Sequence, residues 1–148
     1  GICGAIHRAA GPLLAEECKH IGGSGAERCP TGQTVITQGY RLPAKHVLHT
    51  VGPTSTDKKA LRSSYKTTLD LAAEKGLRSV ALCCVSTGIF GFPLRLATHI
   101  ALATVRSWLD AHRGAMDRVV FTVFMPKEEE VYQHLMPCYF PRPGEPEL

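Results

Sequence analysis

The chain has 148 residues, 44% of them hydrophobic and 20% charged, which is enough for one domain with its own core. A net charge of +4 favours anions mildly, but the basic residues are scattered, which argues against a dedicated nucleic-acid surface. No stretch of about 18 apolar residues is present to span a membrane, and no basic segment followed by an apolar one marks a signal peptide, so an intracellular location is expected.

Residues 1–4 read as a short glycine loop that leads into a helix over 5–20, where Ile6, Ala10, Leu13 and Cys18 share a face and Pro12 restarts the helix. Residues 22–32, rich in Gly, Ser and Pro, read as a connection. Residues 34–38 form a β-branched strand, and 45–51 a second strand closed by Gly52-Pro53. A helix is predicted over 57–75, with Leu61, Tyr65, Leu69 and Ala72 on its apolar face, Ser55 or Thr56 as its cap and Gly76 as its stop. The apolar run 79–85 has the pattern of a strand buried on both faces. A helix over 93–112 follows, with Ala97, Ala101, Thr104, Trp108 and Ala111 as its stripe. After it come a strand over 119–124, an acidic-started helix over 128–135 and a Pro-rich tail over 141–148. There is no internal repeat. This alternation predicts a single layered α/β/α domain.

The cysteines Cys3, Cys18, Cys29, Cys83, Cys84 and Cys138 make no CxxC pair and read as reduced, mostly structural thiols. Cys18, His20 and Cys29 lack a fourth zinc ligand at a familiar spacing, so neither a metal site nor a cofactor is expected. His7, His46 and His49 invite a general-base role because an unperturbed imidazole titrates near neutrality, but none has a fixed partner visible in sequence, and all three read as structural. The segments Asp57-Lys58-Lys59 and Glu128-Glu129-Glu130 read as solvated helix starts.

The most informative segment is Ser86-Thr87-Gly88-Ile89-Phe90-Gly91-Phe92-Pro93, which joins the carboxyl end of a strand to the start of a helix. Ligands of open α/β sheets bind at such ends. Gly88 and Gly91 let the backbone turn its amides toward a ligand, and the following helix adds partial positive charge, which suits a phosphate. The same pattern also fits an ordinary tight strand-to-helix turn. Gly1-Ile2-Cys3-Gly4 precedes a helix in the same way, and two such loops facing one another would cradle a diphosphate. Ile89, Phe90 and Phe92 would then wall a sugar or a base, which points to a nucleotide-like ligand.

Five segments occur in the order seen in MacroD-type macrodomains: Gly4-Ala5-Ile6-His7-Arg8-Ala9-Ala10-Gly11-Pro12, Leu42-Pro43-Ala44-Lys45, His49-Thr50-Val51-Gly52-Pro53, Ser86 to Pro93, and Tyr139-Phe140-Pro141. The chain thus resembles that family of ADP-ribosyl hydrolases almost from end to end. The resemblance implies a three-layer α/β/α macrodomain with a mixed central sheet. It also implies that Ser86, Thr87, Gly88, Ile89, Phe90, Gly91 and Phe92 wrap the diphosphate and distal ribose of ADP-ribose, with Phe90 bordering that ribose beside the reacting bond. Gly4, Ala5 and Ile6 would approach the phosphates from the other side, and Phe124 would lie against adenine, core packing being its alternative. The implied activity is removal of mono-ADP-ribose from acidic side chains of proteins, with deacetylation of O-acetyl-ADP-ribose as a second reaction. The expected partners are ADP-ribose and mono-ADP-ribosylated proteins. Poly-ADP-ribose or RNA is suggested by net charge alone, and a monomer is expected.

Two departures from the family pattern bear on this expectation. MacroD-type domains carry further strands and an Asn-Ala-Ala-Asn segment before the glycine loop, whereas this chain starts inside the loop, so it is expected to be N-terminally incomplete relative to the family. Cys3 stands where those hydrolases have an aspartate thought to position or activate the attacking water. A neutral thiol cannot replace that acceptor, although a thiolate near a helix N-terminus could carry charge. The second reading is therefore a non-catalytic reader of ADP-ribosylated proteins.

Overall fold

The computed structural model describes residues 1–22 and 28–144. Part of the predicted connection (23–27) and the end of the predicted tail (145–148) lie outside the described residues. The elements in chain order are α1 (Ile2–Ala10), α2 (Pro12–Lys19), β1 (Thr34–Gln38), β2 (His46–Thr50), α3 (Lys58–Glu74), β3 (Ser79–Leu82), α4 (Leu94–Ala111), β4 (Arg118–Phe121) and α5 (Pro126–Tyr139). β1 and β2 pair antiparallel with Ile36 opposite Leu48, and β3 and β4 pair parallel with Val80 opposite Val119. Both strand orientations of a mixed α/β fold are present, and among the described residues they stand as two separate pairs.

The expected glycine loop at residues 1–4 is instead the first turn of α1, with the Ala5 amide bonded to the Gly1 carbonyl at 3.2 Å. One glycine inside a helix costs only about 1 kcal/mol, so Gly4 does not prevent the turn. The break comes at Gly11, whose φ of 82° only glycine adopts readily, and Pro12 restarts the chain as the first residue of α2. This break rotates the register. Leu14 is buried in place of the predicted Leu13, which stays 58% exposed.

The N-cap of α3 is Asp57, not Ser55 or Thr56: its carboxylate accepts from the Ala60 amide at 3.0 Å. Leu61, Tyr65, Leu69 and Ala72 of α3 are buried as the periodicity predicts. They meet Ala97, Ile100, Ala101, Val105 and Trp108 of α4 and Val80 and Leu82 of β3 in the main core. Burial of each large aliphatic side chain contributes about 1.5–3 kcal/mol. The α4 stripe ends at Trp108, since Ala111 is exposed. α3 also carries a polar seam that the periodicity does not show. Ser63 and Ser64 donate to the carbonyls of Gly32 (2.8 Å) and Val51 (3.2 Å), and Thr67 meets Thr34 at 2.8 Å. These bonds hold the β1–β2 hairpin on the helix.

The predicted strand buried on both faces is shorter and one-sided. β3 ends at Leu82, with Val80 and Leu82 buried and Ser79 and Ala81 exposed. The alternation arises because α3 and α4 pack on the Val80–Leu82 side, whereas Ala81 and, on β4, Val120 face outward. A smaller cluster of Leu102, Tyr132 and Leu135 seats α5 on α4, with Cys84 and Phe121 against it. Among the described residues no helix is long and apolar enough to cross a membrane.

Candidate phosphate-binding site

The last bond of the β3–β4 ladder runs from the Thr122 amide to the Leu82 carbonyl at 2.7 Å. Beyond it the chain turns. Ser86 takes φ 63° and Gly91 φ 70°, while the Gly91 amide bonds to the Gly88 carbonyl at 3.0 Å and the Phe92 amide to the Ser86 carbonyl at 2.9 Å. Thr87 is tied back by a bond from its hydroxyl to the Cys84 carbonyl at 3.2 Å. Among the described residues the amides of Thr87, Gly88, Ile89 and Phe90 have no acceptor. They stand just before α4, whose first turn leaves its own amides free after Pro93. Unpaired amides beside a helix N-terminus make an anion site. Gly88 leaves open space, since a Cβ built there meets nothing within 4 Å.

The floor of this turn is Gly52, at the end of the hairpin. A Cβ there would collide with the Ser86 hydroxyl and lie 2.5 Å from Val85 Cγ1. The Ser86 Oγ itself is buried and has no partner among the described residues. Tyr65, 2% exposed, reaches the loop's base from α3: its hydroxyl donates to the Cys83 carbonyl and accepts from the Val85 amide, each at 3.2 Å. Burial raises the Tyr65 pKa strongly, so the phenol keeps its proton.

The other predicted site residues divide clearly. Ile89 (99% exposed) and Phe90 (48%) project outward from the turn, but the Phe92 side chain lies in the main core at 2% and cannot wall a ligand. Phe124 falls three residues beyond the end of β4, not inside the strand, and is 91% exposed, which excludes core packing. Its segment is held by Glu128, whose carboxylate accepts from the amides of Phe124 at 3.3 Å and Met125 at 2.6 Å. Burial opposes that charge, but these amide bonds, the nearby Cys84 thiol and Lys127 outweigh it and keep the carboxyl below its usual range.

Cys3, Gly4, Ala5 and Ile6 all lie in α1, with Cys3 and Ala5 exposed. Among the described residues no hydrogen bond links α1 to the 86–92 turn. Of the histidines, His49 meets the Thr37 hydroxyl at 2.9 Å, and burial, aided by nearby His7, lowers its pKa. It is a satisfied structural imidazole. Burial, with Glu128 nearby, pushes the Cys84 thiol up to about 12 and raises Cys83 as well, so neither is a thiolate nucleophile.

Tyr65, Gly52 and Glu128 are the supporting residues that sequence reasoning missed. The spacing of Tyr65 from Leu61 and Leu69 marks it only as a core residue, and Gly52-Pro53 marks only a strand end. Glu128 carried a usable signal, an acidic residue at the third position of a helix.

A strand, a turn of amides without acceptors among the described residues and a helix start define an α/β module whose turn has the geometry of an anion site. A family model described as Macro domain matches residues 1–101, and the chain belongs to this family. It is 49% identical over 147 residues to the ADP-ribose glycohydrolase MACROD1 of Rattus norvegicus, covering 95% of this chain and 55% of that protein. The chain therefore spans about half the length of that relative. Among solved structures, the Trypanosoma brucei macrodomain in complex with ADP-ribose superposes with a TM-score of 0.87 at 47% identity, over 92% of this chain and 56% of that one. The macro domain of ganglioside induced differentiation associated protein 2 superposes equally well, with a TM-score of 0.87 at 39% identity, over 95% of this chain and 70% of its own.

Proposed function

We propose that this chain binds ADP-ribose and hydrolyses mono-ADP-ribose from acidic side chains of proteins, with O-acetyl-ADP-ribose deacetylation as a second reaction. The observation that carries the proposal is the turn at 86–92, whose free amides meet the start of α4. Amides of Thr87, Gly88, Ile89 and Phe90 take the diphosphate oxygens, while Phe90 borders the distal ribose and Phe124 lies against adenine. Ser86, Gly91 and Phe92 act through their backbone, which shapes the turn. Gly4, Ala5 and Ile6 face the phosphates from the α1 side. Water attacks the distal ribose at its bond to the target carboxylate; that bond breaks, and the side chain leaves as a free carboxylate. The relationship to MACROD1, a protein named as an ADP-ribose glycohydrolase, supports this reaction class.

A second reading, a reader that binds ADP-ribosylated proteins without hydrolysing them, is favoured by Cys3, which is exposed at the family's aspartate position. Net charge alone favours poly-ADP-ribose or RNA. The domain acts as a monomer in an intracellular compartment, a location that fits its six free thiols. Calorimetric titration with ADP-ribose, followed by single-turnover release of ADP-ribose from a mono-ADP-ribosylated protein, tests the proposal. Binding with release supports the hydrolase, binding without release supports the reader, and absence of binding overturns both.

A further inference from the structure

Where β3 leaves its partner strand, the Cys83 carbonyl and the Val85 amide, just before the turn, bond to a side chain of α3 and not to another strand. They lie two residues apart, on the same side of an extended chain. The Tyr65 phenol closes both, donating to one and accepting from the other, each at 3.2 Å. Its ring sits one helical turn from Leu61 on one side and from Leu69 on the other, both fully buried, so the core fixes where the hydroxyl points. The next residue after this clamp is Ser86, at φ 63°, seated over Gly52.

We infer that Tyr65 is a positioning residue for the ligand site, fixing the point at which the 86–92 turn begins and thereby aiming its free amides. The inference rests on the proposal that this turn holds the diphosphate of ADP-ribose. Phenylalanine would fill the same space in the core, but it would take from the part-buried Cys83 carbonyl and Val85 amide the one partner they share, and losing it favours a shift of the backbone toward other partners. The turn would lose its anchor while the fold kept its packing.

The test compares Tyr65→Phe with Thr68→Val in the full chain. Thr68→Val also removes a buried hydroxyl from α3, one that donates to the Ser64 carbonyl at 2.7 Å and meets the Thr34 hydroxyl of β1 at 3.2 Å, with no bond to the turn. Both variants are expected to melt at comparable temperatures. Only Tyr65→Phe weakens ADP-ribose binding, by about tenfold, and it alone speeds hydrogen exchange at the Val85 amide. Wild-type affinity in Tyr65→Phe, or an equal loss in Thr68→Val, overturns the inference. If Tyr65→Phe does not fold, exchange in the wild type decides: a Val85 amide as protected as that of Thr122 supports the clamp, and free exchange refutes it. Failure of the wild type to bind ADP-ribose would refute the ligand assignment instead, and the Val85 exchange measurement would still decide the clamp.

Discussion

Gly52→Ala probes the seat of the turn directly. Gly52 is buried, and its φ lies outside the left-handed region, so alanine is allowed by the backbone and even gains about 0.4–1 kcal/mol by restricting the unfolded chain. Against that gain, the new methyl group collides with the Ser86 hydroxyl and comes within 2.5 Å of Val85 Cγ1. Overpacking of this kind costs about 1–3 kcal/mol, so a net destabilisation of about 1–2 kcal/mol is expected. Ser86 cannot yield cheaply, because a non-glycine residue at positive φ already carries about 1–3 kcal/mol of strain. The displacement therefore passes into the turn, and ADP-ribose affinity falls by about tenfold, the equivalent of 1.4 kcal/mol. Ser86→Gly removes both the strain and one of the two clashes, so the double variant should recover part of the loss, with a coupling energy above about 0.5 kcal/mol. Urea unfolding and calorimetric titration of the four proteins in the cycle measure both quantities. Strict additivity, or a Gly52→Ala protein with wild-type stability and affinity, would refute the packing of Ser86 on Gly52.

Three further outcomes are expected. Gly88→Glu should fold normally, since a side chain there has open space, yet lose ADP-ribose binding by more than about a hundredfold because a carboxylate opposes the phosphates; unchanged titration would remove this turn from the site. Cys3→Asp should accelerate ADP-ribose release by about 10²–10⁴-fold while affinity changes little, as expected for a restored water-orienting carboxylate; slower turnover in the aspartate variant would show that the thiol itself serves the reaction. The pKa of His49 is depressed in the fold, so the unfolded chain takes up its proton first as pH falls below the ordinary value near 6.5. Stability should decline from there until the folded His49 also titrates, and His49→Gln should flatten that decline in urea unfolding at pH 7.5 and 5.5; an unchanged slope would place the titration elsewhere.

The sequence alone determined the elements whose signals are local. The periodicity of Leu61, Tyr65, Leu69 and Ala72 and the β-branched run at 34–38 follow from burial of one face, and they match α3 and β1. The turn at 86–92 was legible for the same reason, because glycine spacing between a strand and a helix is written in consecutive residues. Tertiary structure decided whatever depends on distant neighbours. Leu14 is buried rather than Leu13 because the positive φ at Gly11 resets the helix register, and Phe92 enters the core because the turn points its side chain back between α3 and α4. The clamp of Tyr65 on Cys83 and Val85 and the seat of Ser86 on Gly52 join residues 18 to 34 positions apart. No periodicity or propensity records such pairs, since a phenol in a core stripe and a glycine before a proline look alike in sequence whether or not a backbone carbonyl or a serine lies across from them.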